Sequence, residues 1–190
     1  MDGQETGGRT SVLGATLSQA DRDAATVRAD ATPLARELEG VDRRRLPTHV
    51  DARGEVLEVY DERWGFHPEP MVYCYQFTVR PGVVKGWGLH KKHDDRYVLL
   101  KGKVDLVMYD ARAGSPTEGR VQRVTLNEYD RQIVRIPAFV WHADHNYGEE
   151  EAVILNFPTQ PYDHADPDKW VLPIDTPLIP YDFGPSARAR

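Results

Sequence analysis

The sequence predicts an all-β protein: an antiparallel jelly-roll barrel, a double-stranded β-helix, with a short helical extension at its N-terminus. Three observations lead there. Seven short runs rich in β-branched and aromatic residues follow one another: Val56–Tyr60, Val72–Arg80, Arg96–Leu100, Val104–Tyr109, Gln122–Leu126, Ile133–Ile136 and Ala152–Phe157. Turn signals punctuate them at Pro81-Gly82, Gly102, Gly114-Ser115-Pro116 and Tyr147-Gly148, and no helical period separates them. Several runs, such as Tyr97–Leu100 and Leu106–Tyr109, are apolar on both faces. That is expected when one face lines a barrel and the other packs on a second layer.

The elements are justified in chain order. Residues 1–17 are rich in Gly, Ser and Thr and read as flexible. Ser18 with Asp21 reads as a helix N-cap. Thr32-Pro33 sets a second cap and first-turn proline, and Gly40 stops that helix. Residues 1–50 are thus expected to form a flexible and helical extension, and 51–190 the barrel. The tail from Tyr162 to Phe183 is rich in Pro and Asp, with Trp170, Leu172, Ile174, Leu178 and Ile179 as apolar anchors. It is expected to wrap the barrel.

Composition narrows the function. The chain has 190 residues, 40% of them hydrophobic, enough for one ordinary core. A net charge of −6 offers no basic surface for nucleic acid or anionic lipid, and Arg43-Arg44-Arg45 reads as a solvated turn. The single cysteine, Cys74, rules out a disulfide within the chain. No apolar run approaches the roughly 20 residues that span a bilayer. The N-terminus lacks an apolar signal region, so a cytoplasmic location is expected.

Two histidines carry the chemistry. In Arg135-Ile-Pro-Ala-Phe-Val-Trp-His-Ala-Asp-His-Asn146 a strand meets a proline turn and presents His142. Gly86-Trp-Gly-Leu-His90 presents the other. Asp95 stands seven residues before Gly102, and His90 five before Asp95; Pro137, Phe139, His142 and Asn146 keep a second spacing. Both spacings resemble the two cupin motifs, with Gly88 in the place of the first histidine and Phe139 in the usual place of a glycine. The residues leave three readings open. His90, Asp95 and His142 suit iron, manganese or zinc, with His93 as a further candidate ligand. Alternatively His90 is a metal-free general base acting next to a carbonyl. Finally, the barrel binds a small molecule without catalysis.

A longer set of residues resembles one family. Gly88-Leu89-His90, the run Gly102 to Asp110-Ala-Arg112, Ser115-Pro-Thr-Glu-Gly119, Ile136 to His142 and Asp175-Thr-Pro-Leu-Ile-Pro-Tyr181 look like dTDP-4-dehydrorhamnose 3,5-epimerase. The Asp-x-Arg…Ser-Pro-Thr-x-Gly stretch is the most specific part. The resemblance implies a cytoplasmic homodimer without a cofactor that moves protons on a keto sugar or similar carbonyl compound, linked or not to a nucleotide. It implies His90 as base and Asp175 as its orienter. His142 is then a substrate or oxyanion partner, and Trp87, Arg96, Asn156, Tyr75 and Arg80 are expected to contact substrate. The chain departs from the family pattern at three places. The diphosphate-gripping arginine is Trp87, the catalytic lysine is Asp95, and the general-acid tyrosine is Asn156.

Overall fold

The computed structural model describes residues 11–30, 36–184 and 187. The chain divides into two compact units after Arg36. In the first, helix α1 (Val12–Leu17) starts at Ser11, whose hydroxyl accepts the Gly14 amide at 3.1 Å. Its residues are not buried. Ser18, expected to open a helix, closes this one. A serine oxygen caps only a helix that follows it, and here the helical turn precedes Ser18. Residues 19–30 form no helix, and the expected cap at Thr32-Pro33 lies outside the described residues.

Among its described residues the second unit holds twelve strands: β1 (Asp42–Arg45), β2 (Thr48–Asp51), β3 (Gly54–Leu57), β4 (Tyr75–Val79), β5 (Val84–Leu89), β6 (Asp95–Lys101), β7 (Lys103–Asp110), β8 (Val121–Asn127), β9 (Gln132–Ile136), β10 (Val140–His145), β11 (Ala152–Asn156) and β12 (Trp170–Val171). One five-stranded sheet runs β1, β9, β6, β11, β4; the other runs β12, β5, β10, β7, β8; β2 and β3 form a separate hairpin. Every pairing is antiparallel. The barrel sheet reaches back to Asp42, so residues expected in the extension join it through β1.

The period of two along each strand sorts the core into layers. Leu99 of β6, Leu106 and Met108 of β7, Leu126 of β8, Ile136 of β9 and Ile154 of β11 fill the space between the sheets. Val107, pointing the other way from β7, packs with Trp87, Ala143 and Ile179 in a second cluster joined by Tyr181 and Phe183. Val98 and Ile133 face outward from the first sheet and pack with Leu46 and Phe157. The two-faced apolar runs are therefore explained within this one chain. The C-terminal tail and the segments around β2 and β3 cover the outer faces.

The turns place the site. Gly102 takes φ +92 between β6 and β7, and a Cβ there would stand 3.0 Å from the Ala152 Cα. At Phe139, the place where the cupin spacing puts glycine, the backbone adopts the left-handed φ of +65. The turn needs that conformation because the Phe139 amide must point back to the His90 carbonyl, 2.7 Å away. One strained residue thus ties the loop before β10 to the residue after β5.

Candidate active site

The site lies where the ends of the two sheets meet. Asp95 opens β6 in one sheet, His142 lies on β10 in the other, and His90 follows β5. Their facing atoms converge: His90 Nε2 stands 3.3 Å and His142 Nε2 3.6 Å from Asp95 Oδ2. His93 Nε2 is 3.7 Å from the other carboxylate oxygen. The Asn156 amide donates to Asp95 Oδ1 at 2.7 Å and to the Tyr75 hydroxyl at 3.0 Å, while its own carbonyl accepts the Arg96 amide at 3.1 Å. Asp95 Oδ2 has no aligned hydrogen-bond donor.

Each imidazole is oriented from behind. His90 Nδ1 donates to the Asp168 backbone carbonyl, and His142 Nδ1 donates to that of Val140 at 3.2 Å. The Asp168 carboxylate accepts the backbone amides of Lys91 and Lys92, at 3.0 and 2.7 Å, and sits 3.1 Å from His93 Nδ1. The tail thereby clamps the loop that carries both His90 and His93. Gly88, in the place of the missing first histidine, pairs directly with His142. A Cβ there would stand 3.7 Å from His142 Nε2, so glycine leaves that side of the ring open.

The cluster opens into a cavity of about 350 Å³, walled among others by Tyr75, Tyr97, Lys85, Asp144 and Lys169. Its electrostatics follow from burial and from one carboxylate. Burial would lower His90, but contact with Asp95 and the nearby Asp168 raise it above an ordinary histidine. Burial drives His142 down to about 4, against the pull of Asp95. Burial opposes ionisation of Asp95, yet His90 and the Asn156 amide hold it at about 2. Asp144, buried near that anion, is pushed up to about 8. Desolvation and Asp95 together push Tyr75 up to about 12 and Tyr97 well above 10. The cavity therefore presents protonated hydroxyls and a protonated carboxyl beside the Asp95 carboxylate and the His90 ring that it contacts.

Several expected site residues lie elsewhere. Asp175 is exposed on a turn and does not line the cavity; Asp95 and the Asp168 carbonyl hold His90 instead. The tail delivers Asp168, not Asp175, to the histidine loop. Trp87 is fully buried on the opposite face of β5 from Gly88, where its ring packs edge-on to Tyr181. Arg96 alternates with Asp95 along β6 and so points away from the cavity. It is fully buried and donates to the carbonyls of Phe157 at 2.6 Å, Glu69 at 3.0 Å, Pro70 at 3.2 Å and Pro158 at 3.3 Å. Arg80 is exposed beyond β4, outside the cavity wall. Asn156 supports Asp95 and Tyr75 from below, and Tyr75 does line the cavity. Sequence reasoning missed Asp144, Asp168 and Lys169. The step of two from His142 places Asp144 on the same strand face and was a usable signal. Nothing local marks Asp168 or Lys169 in an irregular tail.

The most specific stretch of the sequence resemblance is a structural joint. Asp110 accepts from Arg112 Nε at 2.8 Å and from the hydroxyls of Ser115 and Thr117, both at 2.6 Å. Thr117 in turn accepts the Glu39 amide at 2.9 Å. The stretch ties the β7–β8 connection to the segment before β1.

Comparison with known proteins agrees with this fold. The family model described as dTDP-4-dehydrorhamnose 3,5-epimerase matches residues 35–179. The probable low-salt glycan biosynthesis epimerase Agl13 of Haloferax volcanii is 35% identical over 77% of this chain and 94% of its own. The spore coat polysaccharide biosynthesis protein SpsL of Bacillus subtilis is 29% identical over 80% of this chain and 99% of its own. The crystal structure of a dTDP sugar isomerase from Desulfovibrio desulfuricans superposes with a TM-score of 0.71 at 27% identity, over 76% of this chain and 91% of that one. With its barrel, its cavity-facing histidine and a match across most of its length, the chain belongs to the dTDP-4-dehydrorhamnose 3,5-epimerase family of sugar isomerases.

Proposed function

We propose that this enzyme inverts a single carbon next to the keto group of a nucleotide-linked 4-keto-6-deoxy sugar. The observation that carries this reading is the His90 ring on the cavity wall, with Nδ1 committed to a carbonyl and Nε2 on the side of the cluster. Neutral His90 takes the proton from the carbon, and the charge developing on the keto oxygen meets protonated hydroxyls of Tyr75 and Tyr97. Lys85 and Lys169, both on the cavity wall, suit a diphosphate, in place of the arginine replaced by Trp87. Asn156 stands where the family has its acid tyrosine, and an amide cannot return a proton to the far face. The Tyr75 hydroxyl, held by Asn156 on the cavity wall, is then the donor that protonates the carbon opposite His90, and solvent restores its proton. A cytoplasmic homodimer acting in carbohydrate biosynthesis fits this reading.

The test is deuterium exchange in heavy water with a dTDP-linked 4-keto-6-deoxyhexose, followed by NMR. One carbon should exchange, and His90→Ala should slow the exchange by about 10²–10⁴-fold. Unchanged exchange in that variant removes His90 as the base. Exchange at two carbons removes the single-inversion reading.

A further inference from the structure

Three acceptor atoms meet at one point of this site. A carbonyl oxygen can only accept, so the hydrogens of His90 and His142 lie on Nδ1, toward Asp168 and Val140. In their neutral forms both Nε2 atoms then present lone pairs to the same oxygen, Asp95 Oδ2, at 3.3 and 3.6 Å. That oxygen belongs to a side chain only 1% exposed and has no aligned donor. Lone pairs so arranged repel unless a proton or a metal ion lies among them.

The spacing fits a metal ion. Ligand atoms held about 2.1 Å from one ion stand about 3.0–3.4 Å apart in octahedral or tetrahedral geometry. Here the two imidazole nitrogens stand 3.3 and 3.6 Å from the carboxylate oxygen, close to that range, and all three atoms lie within 4.8 Å of one another, so a small inward shift completes the set. Two imidazoles and one carboxylate are the donor set that late first-row divalent ions prefer. The outer partners are in place as well. Both imidazoles are tied back through Nδ1, and the Asn156 amide holds the second carboxylate oxygen. On the remaining side lie Gly88 and the cavity, which give an ion a route in. A lysine at position 95 would put its own cation here. The aspartate instead leaves a site for a free one.

We propose that His90, Asp95 and His142 bind one divalent transition-metal ion, such as zinc, and that binding withdraws His90 from proton transfer. The second half rests on the reading of His90 as the base, because the Nε2 lone pair cannot serve a metal and a substrate proton together. The ion is thus a reversible inhibitor in competition with catalysis.

The experiment is calorimetric titration of metal-stripped full-length protein with zinc chloride, alongside Asp95→Asn and the surface control His49→Ala. Circular dichroism and thermal unfolding of each variant show whether it is folded. The expected result is about one equivalent bound by the natural chain and by His49→Ala, with affinity lowered at least about 10²-fold in Asp95→Asn. His142→Gln provides a second test should Asp95→Asn fail to fold. His93→Asn should keep the affinity within a few-fold, which separates this cluster from His90, His93 and Asp168. Absence of saturable binding, or equal binding by the natural chain and by folded Asp95→Asn or His142→Gln, overturns the site. Deuterium exchange should fall as zinc saturates and return with chelator. Exchange that rises with bound zinc overturns the inhibition and the role of His90 as free base, while the binding data stand independently.

Discussion

Asp110 shows how one side chain can anchor a family signature without touching the chemistry. Its carboxylate is fully buried, which by itself would favour the protonated form. Hydrogen bonds from Arg112, Ser115 and Thr117 win and hold it well below the usual carboxylate range. Asp110→Asn should cost about 2–3 kcal/mol at neutral pH, toward the low end because Arg112 is partly exposed. The sign of the pH effect follows from the lowered value. The contribution is complete above about pH 3.9, the unfolded value, and is lost as pH falls through the folded one. Urea unfolding should therefore show a deficit in the variant that is largest near neutrality and shrinks in strong acid. Arg96 makes the same point about legibility. Its charge suggested a substrate contact, but period-two alternation beside Asp95 sends it outward to four backbone carbonyls. Residue type was visible in the sequence, and the direction of the side chain depended on an exact strand register.

Among the elements, the contact of β5 with β10 is the most demanding. The register slips between His142 and Asp144, so a short stretch of β10 faces a longer stretch of β5. Gly86 lies in that irregularity with φ +148. A Cβ there would stand 2.5 Å from the Ala143 Cβ and 2.6 Å from its Cα. Backbone cannot yield as a flexible side chain can. Gly86→Ala should destabilise the protein by about 3 kcal/mol, seen in thermal unfolding, and should disturb His142 more than a distant core substitution of equal cost. Most strands were legible from β-branched runs between turn signals. Strands β2, β5 and β10 lie outside those runs, as do β1 and β12, where Asp42–Arg45 is wholly charged and Trp170–Val171 is too short to show a period. Both gain their strand form by pairing with an existing sheet edge. The N-terminal helix was misplaced because short capping signals are abundant and carry little energy without packing.

For the whole molecule, the core clusters draw, among the described residues, on Leu38 onward. A chain beginning at Glu37 should therefore keep the thermal midpoint and the solvent exchange of the full chain; a collapse of either would show that the first unit supports the second. The sequence alone determined the barrel class, the family and the two histidines, because these rest on local signals: turn residues, strand period and motif spacing. Tertiary structure decided what stands beside those histidines. It brought Asp95 to His90 and His142 from a different sheet, put Asp168 rather than Asp175 behind His90, and turned Trp87 and Arg96 away from the cavity. Spacing in a sequence fixes distance along one strand. Which strands face each other, and where an irregular tail comes to rest, depends on packing across the whole barrel.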